Sequence, residues 1–365
     1  MNDTPAAPVR YIVIGAGAVG GTIGGCLFQA GHDVVLVARG AHLDALRAHG
    51  LRLATPMGTH TLRIPAVAGP AELDLRRGDV LILSTKGQDT VGVLEQWAWQ
   101  PVRDAGQAAA GLLPVVCAQN GVANEGIALR RFRHVYGMCV WLPATHLQPG
   151  VVQAQGIPCA GLLPVGRYPS GTDSFTQLFT AALAASRFLA PASDDVMRWK
   201  YGKLLGNLGN AIEALCGPAA RDDDDARELR RRARSEGIAV LRAAGIGHAP
   251  PEEFDAVRGD QVRYGDVDGA ARSGGSSWQS LSRGTGTIEA DFLNGEIVLM
   301  GRIHGVATPV NETLQQLANQ AARARKPPAS TAPAAILSAA EAAADGLPGF
   351  ADQTGELALR SRKNG

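Results

Sequence analysis

The run Gly15-Ala16-Gly17-Ala18-Val19-Gly20 constrains this chain more than any other feature. It follows directly on Arg10-Tyr11-Ile12-Val13-Ile14, which reads as a short buried strand. A small-residue helix comes next, ending near Ala30 with Gly31 as its stop signal. Asp33 to Ala38 (DVVLVA) is a second apolar strand. A GxGxxG run alone is weak evidence. Between a strand and the helix it opens, inside a strand–helix–strand unit, it marks a dinucleotide-binding turn. Gly15 permits the tight turn, Gly17 lets backbone approach a pyrophosphate, and Gly20 lets helix and strand pack closely. Ala16 completes the turn. The amides of Ala18 and Val19 would face the phosphates at the positive end of the helix dipole.

The same stretch admits another reading. Tyr11 to Gly31 holds no charged residue in 21 positions and contains the GxxxG spacings Gly17/Gly21, Gly20/Gly24 and Gly21/Gly25. That pattern suits a membrane helix or a signal core. Seven of the 21 residues are Gly, however, Asp3 precedes the run with no basic segment, and no later apolar stretch approaches 18 residues. No membrane insertion is expected. Glycine is 45 of 365 residues, well above the usual share of about 7%. A surplus clustered here points to close approach of backbone rather than loose loops.

Runs at 79–84 (DVLILS) and 113–118 (LPVVCA) are further apolar strands, and 40–48 and 88–98 are helical between them. The expected fold class is therefore α/β, an N-terminal Rossmann-type doubly wound parallel sheet over residues 1–190. Strand-like runs then disappear. Helical stretches at 194–215, about 225–244, about 284–303 and 310–324 predict an all-α C-terminal domain over 191–325, with Ser193 or Asp194 as a cap for its first helix. Residues 326–333 (KPPASTAP) open a linker and C-terminal tail over 326–365, whose Ala-rich part forms one short helix or stays disordered.

Charge and cysteine usage exclude several classes. The net charge is +1, which leaves no electrostatic footprint for nucleic acid. Five scattered Cys with no CxxC suit a reducing, cytoplasmic setting rather than a disulfide framework. Eight His without HExxH spacing predict no metal site. Asp222 to Asp225, followed by Arg227 and Arg230 to Arg232, reads as an acidic helix start with basic residues further along.

The end of the second strand bears on cofactor choice. It reads Val37-Ala38-Arg39-Gly40, with no acid to bind ribose hydroxyls, and Asp33 lies at the opposite end. Arg39 is placed to hold a 2′-phosphate, with His42 to assist, so the expected cofactor is NADP (NADPH). Ligands bind outside the carboxyl ends of parallel strands. Ser84-Thr85-Lys86-Gly87-Gln88 and Gln119-Asn120-Gly121-Val122 end the third and fourth strands, which puts Lys86 and Asn120 at the cofactor and substrate edge.

In the helical domain the segment Trp199-Lys200-Tyr201-Gly202-Lys203-Leu204-Leu205-Gly206-Asn207-Leu208-Gly209-Asn210 stands out. Lys203, Asn207 and Asn210 fall at i, i+4 and i+7 on one expected helix face. Two amides and three glycines disfavour a helix, which suggests that the face is used. A second segment runs from Ser276 to Gly295, with Glu289 early in an expected helix.

Together these residues resemble the ketopantoate reductases (2-dehydropantoate 2-reductases), within the 6-phosphogluconate-dehydrogenase-like superfamily. The resemblance covers about residues 10–324 and rests on GAGAVGG, VLVARG, STKGQ, QNGV, WKYGKLLGN, and SSW…TIEADFLNG followed by HGVATPVNETL, in that order. It implies a dinucleotide-binding domain, a helical domain and an active site between them. The implied reaction is NADPH-dependent reduction of a 2-oxo acid to a 2-hydroxy acid, with ketopantoate as the family's substrate. Carried over by motif, Lys203 and Glu289 are the catalytic pair, Glu289 orienting Lys203 or holding the emerging hydroxyl. Ser277, Asn120 and Asn207 are implied substrate contacts. Lys86, Asn120, Arg39 and the turn from Gly15 to Gly20 are implied cofactor contacts.

Two positions depart from the family's pattern. Where a second asparagine is usual, four residues after Asn207, this chain has Ala211. Asn210 stands one residue early, about 100° away around a helix, and replaces that contact if the helix is locally irregular. Trp141, in Met138-Cys139-Val140-Trp141-Leu142-Pro143, would narrow the pocket. These departures leave room for the same fold acting on another 2-oxo acid or an opine-like substrate. A non-catalytic NADP(H)-binding sensor is the alternative of another class. A homodimer is compatible with all three.

Overall fold

The computed structural model describes residues 8–269 and 274–345. The chain begins β1 (Arg10–Ile14), α1 (Ala18–Gln29), β2 (Asp33–Val37), α2 (Gly40–His49), β3 (Leu51–Thr55), β4 (Gly58–Leu62) and β5 (Ala66–Val67). It continues through β6 (Asp79–Leu83), α3 (Thr90–Ala98), α4 (Ala109–Leu112), β7 (Pro114–Cys117), α5 (Asn124–Leu129) and β8 (His134–Met138). Short strands follow: β9 (Ala144–Thr145), β10 (Val151–Ala154), β11 (Gly156–Pro158), β12 (Gly161–Leu162) and β13 (Val165–Arg167). The helix α6 (Ser174–Ala185) and strand β14 (Phe188–Leu189) complete this half.

The main sheet has seven strands in the order β13-β8-β7-β6-β1-β2-β5, all parallel except β13. Its central strands β1 and β6 are apolar after their first residues, the ion-paired Arg10 and Asp79, because helices cover both faces. Strand order reverses at β1, which pairs with β2 on one side and β6 on the other. A ligand crevice opens at such a switch point, beyond the carboxyl ends of β1 and β6.

A second sheet, β4-β3-β10-β9, was not apparent from periodicity. The helix α1 lies between the two sheets, and its glycines make that possible. A Cβ on Gly24 would come within 2.7 Å of Leu36 on the main sheet, and one on Gly25 within 2.9 Å of Leu53 on the second. The charge-free stretch is thus a buried strand, a turn and a helix packed on both sides. Among the described residues no helix is long and apolar enough to cross a membrane.

Beyond β14 the chain is mostly helical, as expected. It comprises α7 (Val196–Asn207), α8 (Asn210–Cys216), α9 (Asp224–Ala243), α10 (Pro251–Arg258), α11 (Ser276–Ser282), α12 (Asn294–His304), α13 (Pro309–Arg323) and α14 (Pro333–Asp345). One strand interrupts it: β15 (Val262–Tyr264) pairs antiparallel with β11. The Asp222–Asp225 run starts a helix as read, with Asp223 capping α9 through the Ala226 amide. The first helix is capped by Asp195, through the Arg198 amide at 3.1 Å, rather than by Ser193 or Asp194.

Two expected helices are modified. The stretch 194–215 is broken at Leu208–Gly209, and the Leu208 carbonyl freed by the break accepts from Asn294 Nδ2 at 3.0 Å. The stretch 284–303 is helical only from Asn294, after a short 3₁₀ turn at Glu289–Phe292. Gly284 and Gly286 take φ of 59° and 78°, which a right-handed helix excludes. The Ala-rich tail forms α14, docked on the helical core through buried Ile336 and Ala340.

Candidate active site

The glycine turn folds as the sequence requires. Gly15 takes φ of +103°, and a Cβ there would lie 2.9 Å from the Thr85 backbone nitrogen. Ser84 Oγ donates to the Gly15 carbonyl at 2.8 Å and so ties the turn to β6. Gly17 precedes α1 without any side-chain cap, so the first amides of a twelve-residue helix open toward the crevice. The crevice is a cleft of about 500 Å³ lined by Gly15 to Val19, Arg39, Lys86 and Asn120. A backbone cradle that a Cβ would fill, with free helix amides behind it, fits a dinucleotide pyrophosphate.

His42 and His146 form a pair over this turn, with ring centroids 4.3 Å apart. His42 Nδ1 accepts from the Gly150 amide at 2.9 Å, so Nε2 carries the proton and donates to the Ala16 carbonyl at 2.8 Å. Both ring nitrogens are therefore engaged with backbone. His42 braces the glycine turn and is not available to assist with a 2′-phosphate. Burial lowers both pKa values, that of His146 to about 4, so both rings are neutral at physiological pH.

Arg39 stands at the cleft edge with its side chain 85% exposed, 3.4 Å from Asp89 Oδ2. Asp33 is engaged at the far end of β2 by Arg76. The far wall comes from the helical region: α11 contributes Ser276 and Gln279, and Arg283 follows at its C-cap. Gln279 Nε2 donates to the Ala144 carbonyl at 3.1 Å and clasps α11 to β9. These residues, with His146 and Asp89, are wall residues that sequence reasoning missed. Ser276, Gln279 and Arg283 lie within the Ser276–Gly295 segment and Asp89 directly follows STKGQ, but those segments pointed to Ser277, Glu289 and Lys86, and His146 sits in a loop outside them.

Glu289 is buried, and its carboxylate accepts from Lys86 Nζ at 3.2 Å and from the Gly87 amide at 2.8 Å. The expectation that Glu289 orients Lys203 gives way to this pairing with Lys86. The reason is topological: the 3₁₀ turn at 289–292 packs on the segment after β6, and a Cβ on Gly87 would meet the Phe292 ring at 2.7 Å.

Lys203 is half-buried on α7, with Nζ 5.9 Å from the centroid of the Trp141 ring. Arg258 stacks on the same indole at 4.7 Å. Asn207 Nδ2 donates to Asn120 Oδ1 at 3.1 Å, which joins α7 to the cleft edge. Asn210 follows the helix break and turns elsewhere. Its Oδ1 lies 3.9 Å from the position of a Cβ on Gly275, whose amide donates to Glu213. Asn207 and Asn210 thus address different neighbours rather than one continuous face. Ser277 is buried near the start of α11, and its neighbour Ser276 lines the cleft. Among the described residues the cleft wall takes in Lys86, Asn120 and Glu289. Lys203, Asn207, Asn210 and Ser277 stand outside it.

A doubly wound sheet with a glycine turn at its switch point, closed by helices that bring lysines and amides to the strand ends, is the arrangement of a dinucleotide-dependent oxidoreductase. Comparison with known proteins agrees. Residues 11–168 match the family described as ketopantoate reductase PanE/ApbA, and residues 195–322 match its C-terminal domain. The chain belongs to that family, and it is an oxidoreductase acting on CH–OH groups. A 2-dehydropantoate 2-reductase of Archaeoglobus fulgidus is 31% identical over 314 residues, covering 84% of this chain and 96% of the relative. A PanE/ApbA family ketopantoate reductase from Ralstonia eutropha superposes with a TM-score of 0.69 at 27% identity, covering 87% of this chain and 99% of that one. A D-mandelate dehydrogenase, solved with NADH and anilino(oxo)acetate, shares the fold with a TM-score of 0.71 at 22% identity, covering 87% and 99% of the two chains.

Proposed function

We propose that this protein reduces a 2-oxo acid, ketopantoate, to the 2-hydroxy acid pantoate with NADPH. The observation that carries the reading is the 3.1 Å bond from Asn207 to Asn120. It couples the helix bearing Lys203 to the strand end that lines the cofactor cleft. Gly15, Ala16, Gly17, Ala18, Val19 and Gly20 would cradle the pyrophosphate, and Arg39 would take the 2′-phosphate. Lys86, held by Glu289, would line the cofactor's path toward Asn120. When bound, the cofactor supplies the hydride. Lys203 holds a proton at Nζ and an ammonium charge that stabilises the oxygen left negative by reduction of the ketone. Asn120, Asn207 and Ser277 would orient the substrate's carbonyl and carboxylate, while Asn210, turned toward Gly275, would not share that role. Glu289 acts on this scheme through Lys86, which it holds in place.

Trp141 favours one second reading within the same chemistry. Its ring lies near Lys203 and under Arg258, so a different 2-oxo acid side chain could be preferred. A panel of 2-oxo acids with NADPH absorbance as readout tests both. Ketopantoate should give the highest kcat/KM. Preference for another acid supports the second reading, and tight NADPH binding with no turnover on any of them refutes both.

A further inference from the structure

One turn before Lys203 on α7, Lys200 is 3% exposed. Its ammonium donates to the Gln119 carbonyl at 3.0 Å and is ion-paired with Glu125. Glu125, on α5, is fully buried, and burial pushes its pKa up while Lys200 pulls it down. Its Oε2 has no hydrogen-bond partner among the described residues. Replacing a buried ion pair by apolar side chains is often neutral or stabilising. Stability therefore gives no account of why two charges are sunk here.

Geometry does. Lys200, Lys203 and Asn207 fall at i, i+3 and i+7, on one face of α7. Lys200 grips the backbone of Gln119, and Asn207 grips the side chain of Asn120. Lys203 therefore lies between two attachments of its helix to adjacent residues of a single loop. The Gln119 amide carries the connection onward, donating to the Thr85 carbonyl and to Thr90 Oγ1, each at 2.9 Å. Thr85 precedes Lys86, which Glu289 holds. One chain of polar contacts thus runs from Glu125 through Lys200 to the cofactor edge.

We infer that Lys200 and Glu125 form a positioning pair. They set the height and rotation of α7 so that Lys203 Nζ meets the carbonyl oxygen of a substrate held at Asn120. This inference rests on reading Lys203 as the proton donor. Displacement of a reacting group by about 1 Å can cost on the order of 100-fold in rate.

The test uses the full chain with ketopantoate and NADPH. It compares Lys200→Met, the charge-free double variant Lys200→Met/Glu125→Leu, and Lys200→Arg. In the first two, kcat should fall about 10- to 100-fold. NADPH binding should be unchanged, and the isotope effect on kcat with NADPH deuterated at the transferred position should rise. Lys200→Arg should recover part of the rate. The double variant leaves no buried charge unpaired and should melt at or above the native temperature, which keeps the test open if Lys200→Met fails to fold. A folded double variant with native kcat and isotope effect overturns the proposal. So does a lower kcat with an unaltered isotope effect, which signals lost active protein. Lys203→Ala, assayed alongside, separates the levels. If it retains turnover, the proton-donor reading falls and this inference falls with it. If it is inactive while the double variant is fully active, only the inference fails.

Discussion

Arg39 offers the most direct test of cofactor choice. Its guanidinium is 85% exposed at the edge of the cleft, with Asp89 at 3.4 Å. Arg39→Ala removes one positive charge and a fork of donors without touching the core. The 2′-phosphate of NADPH carries close to two negative charges at neutral pH. Unit charges 4 Å apart in bulk water are worth about 1 kcal/mol, and this exposed site stays near that limit, so the Coulomb part is about 2 kcal/mol. A charge-assisted hydrogen bond adds about 1.5 kcal/mol at its low end, and the Asp89 carboxylate offsets much of that gain. The net is about 2 kcal/mol, or roughly 30-fold in the dissociation constant for NADPH. NADH lacks the phosphate, so its affinity should hardly change. Fluorescence titration of both cofactors at low and high salt reads this directly. Salt should weaken NADPH binding in the native protein and have little effect in the variant. Asp89→Asn should act in the opposite sense and tighten NADPH binding. Its side chain makes no hydrogen bond to an amide of α3, so the change removes no cap bond, only a small favourable charge at the helix start. Equal losses for NADPH and NADH in Arg39→Ala would refute the 2′-phosphate role.

Three further outcomes follow from the geometry. Lys203→Ala should lower kcat by about 10²- to 10⁴-fold while NADPH titration is unchanged, and near-native turnover would contradict the proton-donor assignment. Gly20→Ala and Gly17→Ala should differ in kind. A Cβ on Gly20 would sit 2.2 Å from the Gly15 carbonyl, so that variant should lose about 1–3 kcal/mol of stability in denaturant melts. A Cβ on Gly17 meets nothing nearer than 4.0 Å, so that variant should melt like the native protein and lose only cofactor affinity; matching melts for the two would refute the packing argument. His146 is held near pKa 4 against an ordinary 6.5. Well above pH 6.5 the ring is neutral in both folded and unfolded chains and contributes nothing to the pH dependence. As pH falls from 6.5 toward 4 the unfolded chain takes the proton first, and stability is lost, by about 1–2 kcal/mol at pH 5. His146→Gln should soften that acid slope in thermal melts, and an unchanged slope would show that the ring is not responsible.

What could be read from the chain divides along the range of the interactions involved. The strand, turn and helix from Arg10 to Gly31 are specified by neighbours in sequence, and their chemistry was readable there. Arg39, Lys86 and Asn120 were readable because parallel strands deliver their last residues to one edge. The second sheet was not. Its strand β4 (GTHTL) is mostly exposed and polar, and β3 pairs with β10 about a hundred residues later, Arg52 opposite Val151. The break after Asn207 depends on Asn294, a residue from another helix that satisfies the Leu208 carbonyl. The Glu289–Lys86 pair joins residues far apart in sequence, and no local pattern announces it. Glu125 and Lys200 were hidden for a different reason. Glu125 sits five residues after Asn120, Lys200 lies inside WKYGKLLGN three residues before Lys203, and each looks by itself like a solvated helix charge.

The glycines of α1 show where a finer local reading would have decided between solvents. Small-xxx-small spacing serves a membrane dimer and a sheet-packed helix equally well, since both need close backbone approach. A dimer face, however, needs a single stripe. Gly20 and Gly24 make one stripe, and Gly21 and Gly25 make another, rotated by about 100°. Two adjacent stripes mean two partners on different sides of one helix. Gly20 and Gly24 face the turn and the main sheet through Gly15, Val13 and Leu36, while Gly21 and Gly25 face the second sheet through Val152 and Leu53. The doubled spacing therefore carries the information that α1 is sandwiched. That sandwich also serves the cofactor. With both flanks fixed by backbone-close contacts, α1 cannot roll, and its uncapped first amides stay aimed at the crevice that Gly15 and Gly17 open.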